Sequence, residues 1–341
     1  MPQIAAATLI DLATRIFVAA GAPPAHAQLV AASLVESNLA GHDSHGIVRV
    51  AQYLDSIAAG ETNPAATPQI AHETAVVTMV EAQRGFGQVA ARYAIDVTIA
   101  KAGAHGLAAT AIRHCNHAGR MGEWVQIAAD AGVIALAFCN TGRPGGAVAP
   151  HGGAGRLLGT NPIAAAVPVA GRPPVVIDFA TSAVAEGKLR IARNRGEAIP
   201  AGWILDAAGQ PSTDPADFYR GGFILPAAGH KGYALALLAE FLGGLLTDVA
   251  GETFVRGNGI LFIGIAPGAF RPAEEFLAEA AELCTRAATT SPAAGFSEVL
   301  LPGEPEQRSA AIRRAEGITL DEITWRQLVD RATQLGVAVD I

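Results

Sequence analysis

The stretch AVVTMVEAQRGFGQVAARYAIDVTIAKAGAHGLAATAIRHC, residues 75–115, decides the fold class. Its opening AVVTMVEA (75–82) is rich in β-branched residues and predicts a strand. VAARYAIDVTIAKAGAHG (89–106) predicts a helix with a glycine stop, and GLAATAIRHC (106–115) predicts a second strand. The pattern continues outward with a helix over MGEWVQIAADAG (121–132) and a buried strand over VIALAFCN (133–140). Strands alternating with helices define an α/β layered core. Turn-rich strands follow in AAAVPVA (164–170), PPVVIDFA (173–180) and GWILDAAGQP (202–211). KGYALALLAEFLGGLLT (231–247) predicts one long apolar helix, GILFIGIAPGAF (259–270) a strand, and residues 272–290 and 321–336 two closing helices. Ahead of the core, the first sixty residues predict three helices. Pro23 and Pro24 open the second, and Asp43 or Ser44 is placed to cap the third.

Composition agrees with a globular chain. Of 341 residues, 50% are hydrophobic and only 16% charged, which excludes a disordered polymer. Twenty-four basic against 31 acidic residues give a net charge of −7, without the basic stripe that nucleic-acid binding needs. Three scattered cysteines, Cys115, Cys139 and Cys284, argue against a disulfide framework and for a reducing compartment. The first residues lack a basic signal-peptide region, and no run approaches the roughly 18 uncharged apolar residues of a membrane helix. A cytoplasmic protein with no membrane partner is expected.

Gly85-Phe86-Gly87-Gln88-Val89-Ala90 fits the GxGxxA pattern of a dinucleotide fingerprint. Four residues, Glu81 to Arg84, separate it from the apolar strand, and no acidic residue follows about twenty residues on, where a ribose would need one. The pattern is therefore read as a tight strand-to-helix turn.

Polar chemistry gathers elsewhere. In Asp43-Ser44-His45-Gly46-Ile47-Val48-Arg49, a histidine and an arginine four residues apart share one side of a helix start, opposite the apolar positions. Histidine exchanges a proton near neutral pH, and a guanidinium grips a carboxylate through parallel hydrogen bonds. The bland alternative is a capped helix start with two solvated side chains. His114-Cys115-Asn116-His117-Ala118-Gly119 follows a strand end, where α/β sheets place sites. His42/His45 and His114/His117 are both HxxH pairs, but no zinc signature accompanies them, so no metal is expected. LGTNP (158–162) and DFATS (178–182) put hydroxyl and amide residues at strand ends. Gly229-His230-Lys231-Gly232 sets a lysine at a helix N-terminus, an electrostatic misfit that an anionic ligand would relieve. LPGE (301–304) predicts a turn.

Taken in order, DSHGIVR (43–49), NHAG (116–119), LGTNP, DFATS, the GW of 202–203 with the following Asp206 and Gly209, HKGYAL (230–235) and LPGE resemble the type-2 malate/L-lactate dehydrogenase family. That group includes sulfolactate and ureidoglycolate dehydrogenases, diketogulonate reductase and piperideine carboxylate reductase. AGHDSHGI (40–47) and GFGQVAA (85–91) look nearest its hydroxycarboxylate dehydrogenase branch.

The resemblance implies a non-Rossmann α/β fold, with a mixed, mainly seven-stranded sheet between helical layers. It implies three parts: an N-terminal helical region (1–72) carrying the SHG motif, a cofactor-binding core (73–285), and a C-terminal segment (286–341) packing back on the first. NAD(H) or NADP(H) would be the cofactor and a homodimer the usual assembly. His45 and His117 would be catalytic, with Ser44 and Arg49 binding substrate. Cofactor contacts would fall on Asn140, Thr160, Asp178, Phe179, Ala180, Thr181, Ser182, His230, Lys231, Gly303 and Glu304. The chain departs from the family's habit in having His114-Cys115 before His117, where Asn-Ser is frequent, and Gly229-His230 before Lys231, where Gly-Gly is frequent. Interconversion of a 2-oxo acid and a 2-hydroxy acid is the expected reaction. Cyclic-imine reduction is the rival, and a metal-dependent hydrolase built on the two HxxH pairs the distant one.

Overall fold

A computed structural model describes residues 2–142, 146–247 and 257–339. It begins with strand β1 (Gln3–Ile4) and helices α1 (Ala6–Ala19), α2 (Pro24–Leu39) and α3 (Arg49–Ala58). Strands β2 (Gln69–Glu73) and β3 (Val77–Glu81) lead into α4 (Gly87–His105), β4 (Leu107–Cys115), α5 (Met121–Asp130) and β5 (Ile134–Gly142). After β6 (Pro162–Val167) and β7 (Val175–Ala180) comes an excursion of α6 (Glu186–Arg195), β8 (Ile204–Leu205), β9 (Pro211–Ser212), α7 (Ala216–Tyr219) and β10 (Phe223–Ile224). The chain then returns through α8 (His230–Ala239), β11 (Gly257–Ile265), α9 (Ala273–Ala288), α10 (Glu304–Glu316), β12 (Ile318–Thr319) and α11 (Glu322–Gln334).

A seven-stranded sheet in the order β2-β3-β4-β11-β5-β6-β7 organises the molecule. Only β3 and β4, joined by the crossover helix α4, run parallel; every other neighbouring pair is antiparallel. The fold is thus the mixed, non-Rossmann α/β sheet between helical layers. Helices α4 and α5 cover one face, and α8 with the turns after it covers the other. The core between the sheet and α4/α5 is built largely of alanine and valine around Trp124, Phe262 and Ile112. Small side chains let helices lie close on strands, and β4, β5 and β11 are accordingly alanine- and glycine-rich.

A second core joins the chain ends. Leu9, Leu12, Ile16 and Phe17 of α1, at helical spacing, are fully buried against α2, α3 and α11. Each contributes about 1.5–3 kcal/mol relative to exposure. A third cluster holds the excursion, with Leu189, Ile204, Phe218 and Ile224 as its centre. Among the described residues no helix is long and apolar enough to cross a membrane.

Two expectations need correction, and a third, the LPGE turn, is extended. The long helix over 231–247 is α-helical only to Ala239; a π-helical turn, Glu240–Gly244, and a 3₁₀ turn, Leu245–Thr247, follow. The cause is close packing: a Cβ on Gly243 would lie 2.7 Å from the Asn140 backbone nitrogen, and one on Gly259 would lie 1.8 Å from the Gly243 carbonyl oxygen. Neither Asp43 nor Ser44 caps the third helix, because Asp43–His45 forms its own 3₁₀ turn and α3 starts at Arg49. LPGE is more than a turn. Gly303, at φ +93°, is the left-handed entry to α10, a helix that apolar periodicity did not announce.

Candidate active site

The site begins with Asn38, a buried amide at the end of α2. Its Oδ1 accepts from the Ile47 backbone N–H at 2.8 Å, and its Nδ2 donates to Asp43 Oδ1 at 2.6 Å. A Cβ on Gly46 would lie 2.2 Å from Asn38 Oδ1, so only glycine lets the loop pass. From the other side Arg313 of α10 donates to both Asp43 oxygens, at 2.6 and 3.1 Å. The chain's far end thereby clamps the loop that presents His45.

Arg49 sits at the first position of α3. Its Nε donates to the Ser44 carbonyl oxygen at 2.6 Å and its Nη1 to Gln52 Oε1 at 2.5 Å. Nη2 has no protein partner among the described residues. The Ser44 hydroxyl lies 3.1 Å from His45 Nδ1. Burial, followed by the nearby Arg49, His42 and Arg120, pushes the His45 imidazole down to about 3, so the ring is neutral at neutral pH.

His117 arrives from the sheet. It follows β4 in a loop whose Asn116 Nδ2 donates to the Arg84 and Gly85 carbonyl oxygens at 2.8 and 3.2 Å. The His45 and His117 rings stack, with centroids 5.5 Å apart and planes 22° apart. His117 Nδ1 is 2.7 Å from the Tyr53 hydroxyl, which accepts from Gln88 Nε2 at 2.8 Å. Burial, with Arg49 and His45 behind it, holds His117 well below the usual imidazole range. The neighbouring carboxyl of Glu123, bonded by Ser33 Oγ at 2.7 Å, is pushed up to about 7 by burial.

The two HxxH pairs do not converge. Their second members meet in the ring stack, while His42 Nε2 faces Glu306 at 3.3 Å and His114 Nδ1 faces Glu81 at 2.8 Å. Among the described residues no three His, Cys, Asp or Glu side chains are grouped so as to hold a metal.

The GxGxxA segment is closely packed. Gly87 opens α4 directly against the His117 loop, where a Cβ would lie 2.3 Å from the Asn116 carbonyl oxygen and 2.4 Å from that of His117. Gly87→Ala is therefore expected to cost about 1–3 kcal/mol of stability through overpacking. Thermal melting beside a titration with reduced cofactor checks this. A normally stable variant binding cofactor tens of times more weakly would make the segment a nucleotide loop.

The residues suggested for a dinucleotide fall in three places. Asp178, Phe179 and Gly303 line a cavity of about 410 Å³ together with Arg120, Leu301 and Glu306. Asp178 Oδ2 accepts from the Gly122 N–H at 2.7 Å, at the start of α5, and burial raises its pKa. Arg120 Nε is buried there without a partner among the described residues, a donor suited to an anionic or amide ligand. Glu304, just beyond, is engaged by Arg172 at 2.7 Å and by the Leu301 N–H at 2.8 Å.

The second group is the β6–β7 strand end. Ala180 pairs with Pro162, Thr181 Oγ1 donates to the Thr160 and Asn161 carbonyl oxygens at 3.1 and 3.0 Å, and Ser182 Oγ donates to Val184 O at 3.0 Å. What these hydroxyls leave for a ligand is backbone. Asn140 is buried nearby, its Nδ2 given to Glu240 at 2.5 Å and its Oδ1 without a partner among the described residues. The third is the α8 N-terminus, where His230 and Lys231 are exposed and Lys231 has no partner among the described residues. An open cavity, orphaned buried polar atoms and a free cation at a helix start together fit an extended anionic cofactor.

A sequence profile described as malate/L-lactate dehydrogenase matches residues 4–329. The chain is 36% identical to hydroxycarboxylate dehydrogenase B of Escherichia coli O157:H7, covering 97% of this chain and 94% of that one. It is 35% identical to a Δ1-pyrroline-2-carboxylate/Δ1-piperideine-2-carboxylate reductase of Pseudomonas putida, covering 92% of both. Its structure superposes on the sulfolactate dehydrogenase of Methanocaldococcus jannaschii with a TM-score of 0.91 at 33% identity, over 99% of this chain and 98% of that one. Against the Δ1-piperideine-2-carboxylate reductase of Pseudomonas syringae the TM-score is 0.86 at 33% identity, over 97% and 100%. The chain belongs to the malate/L-lactate dehydrogenase family, and its named relatives make it an oxidoreductase.

Proposed function

We propose that the protein interconverts a 2-oxo acid and a 2-hydroxy acid with NADH or NADPH. The observation that carries this reading is the stacked His45–His117 pair beside a guanidinium whose Nη2 has no partner among the described residues. Arg49, assisted by Ser44, would hold the substrate carboxylate. His45 would carry the proton at Nε2, its Nδ1 being turned to Ser44. A nicotinamide, when bound, supplies or removes hydride at the substrate carbon; the protein supplies orientation and proton handling. Asp178, Phe179 and Gly303 would contact the cofactor from the cavity side, with Glu304 setting the Gly303 entry and Ala180 beside them at the strand end. Asn140, Thr160, Thr181 and Ser182 would form its floor, and His230 and Lys231 would hold phosphate.

The relative named as a cyclic-imine reductase supports a second reading, in which C=N replaces C=O and the same clamp serves. A homodimer in the cytoplasm is part of the proposal. Exposed apolar side chains on the outer side of α8 and the turns after it, Leu238, Phe241, Leu245 and Leu246, support the dimer.

Fluorescence titration with NADH and NADPH, with and without chelator, tests the reading. Binding of at least one cofactor unchanged by chelator is expected, with turnover of a 2-oxo acid or a cyclic imine in a substrate screen. Activity lost to chelator and restored by zinc would overturn it in favour of the hydrolase.

A further inference from the structure

We propose that Tyr53, held by Gln88, fixes His117 as the neutral tautomer protonated at Nε2. His117 is then a hydrogen-bond donor to the substrate oxygen, and proton transfer belongs to His45. The substrate half of this statement rests on the 2-oxo acid reading above; the tautomer half does not.

A neutral imidazole has one N–H and one lone pair, and its neighbours decide which nitrogen carries which. Two groups converge on His117 Nδ1. One is the Gly119 backbone N–H, at 3.4 Å, which can only donate. The other is the Tyr53 hydroxyl at 2.7 Å. That hydroxyl accepts from Gln88 Nε2 at 2.8 Å, in the amide orientation that leaves Gln88 Oε1 buried without a partner among the described residues, and this occupies an oxygen lone pair and turns the single proton outward. Within reach of the proton are Nδ1 at 2.7 Å and the His117 carbonyl oxygen at 3.5 Å, and the shorter contact takes it. A proton on Nδ1 would instead point at the amide proton of Gly119. Nδ1 is an acceptor, so the ring proton sits on Nε2.

His45 differs in one respect. Its Nδ1 faces the Ser44 hydroxyl at 3.1 Å, a rotor that donates to a lone pair or accepts from an N–H. His45 can cycle between neutral ring and imidazolium without losing that partner. His117 cannot be protonated without setting two donors against each other. In reduction, the imidazolium of His45 would give its Nε2 proton to the substrate oxygen, leaving His45 neutral. His117 keeps its own proton throughout. Tyr53 is accordingly a positioning residue, acting through His117.

The ionisable groups acting on this pair are Arg49 and His45 on His117, and Arg49, Cys115 and Glu123 on Tyr53. Tyr53 itself stays protonated, its phenol pushed up to about 12 mainly by burial.

The test is nitrogen-15 histidine NMR of the full-length, cofactor-free protein, with the His117 signals assigned by their loss in His117→Gln. The expected result is a bare Nδ1 and a protonated Nε2 that do not titrate across the neutral range. A proton on Nδ1, or titration near neutrality, overturns the proposal, and this measurement needs no folded Tyr53 variant. In Tyr53→Phe the second tautomer should become populated. The variant's kcat should fall roughly two- to tenfold, as for one lost neutral hydrogen bond, with KM for the 2-oxo acid nearly unchanged. An unchanged tautomer and kcat in Tyr53→Phe would remove Tyr53 from the assignment. A parent protein that shows the locked tautomer but turns over no 2-oxo acid overturns the functional reading instead.

Discussion

Replacing His45 with alanine is expected to lower turnover roughly 10²–10⁴-fold, the usual contribution of a positioned proton donor, and to leave affinity for reduced cofactor nearly intact. The expectation rests on where the ring is held. The Asn38–Asp43–Arg313 clamp fixes the backbone of its loop, so removing the imidazole takes away chemistry and little structure. The sign of the pH dependence follows from the lowered pKa. With the ring down at about 3 in the free protein, His45 is already neutral at neutral pH and ready to take the proton of a 2-hydroxy acid. The 2-oxo acid needs the imidazolium, whose fraction falls as pH rises above that value. In the parent, kcat/KM for reduction should therefore fall by about tenfold per pH unit across the neutral range, while kcat/KM for oxidation stays flat. Steady-state rates in both directions over a pH series check this. Turnover of His45→Ala within a few-fold of the parent would move the role to His117 or to water.

The fold was legible where burial follows a simple period. Residues 75–140 alternate strands and helices because each strand fills the middle of the sheet and each helix covers it, and β3, α4, β4, α5 and β5 fall within a few residues of the expected bounds. Helix α10 was opaque for the opposite reason. Ala310 is its one buried side chain, and it docks through ion pairs, Arg313 with Asp43, Arg314 with Glu36 and Arg308 with Glu298. Charge pairing across distant segments leaves no period. Strand β2 was missed similarly, since every residue of this edge strand is exposed.

The site was legible as two halves. The spacing of His45 and Arg49 could be read locally, as could the strand end that carries His117. Their meeting is tertiary, set by α3 laying Tyr53 against the loop after β4. Asn38, Tyr53 and Gln88, which do the positioning, were missed. Their one signal was a polar atom on an otherwise buried helix face, beside Ser33 and Ser37 of α2 and Val89 to Ala91 of α4. A buried amide in such a place seeks partners; Asn38 and Gln88 Nε2 find theirs among the catalytic candidates' own neighbours, while Gln88 Oε1 has none among the described residues.

Arg49→Lys is expected to raise KM for a 2-oxo acid about ten- to a hundredfold although the charge is kept. Arg49 does two jobs at once. Its Nε holds the Ser44 carbonyl oxygen and its Nη1 holds Gln52, and this fixes the plane of the guanidinium with Nη2 left over for the substrate. A lysine has one nitrogen on a flexible stem. It can bond to the Ser44 carbonyl or reach the carboxylate, but it has no rigid fork to do both. Hydrogen bonds to charged groups contribute roughly 1.5–3 kcal/mol each, and one such loss corresponds to the stated range. The ammonium would also enter a buried site beside the His45 and His117 rings, where an unpaired point charge is disfavoured more than a delocalised one. Cofactor affinity should barely change, because the cavity holding Asp178, Phe179 and Gly303 is lined by other residues. Two titrations of the variant decide the matter, one with 2-oxo acid and one with reduced cofactor. If cofactor binding collapses and the 2-oxo acid constant holds, Arg49 grips a phosphate, and the two ends of the site must be exchanged.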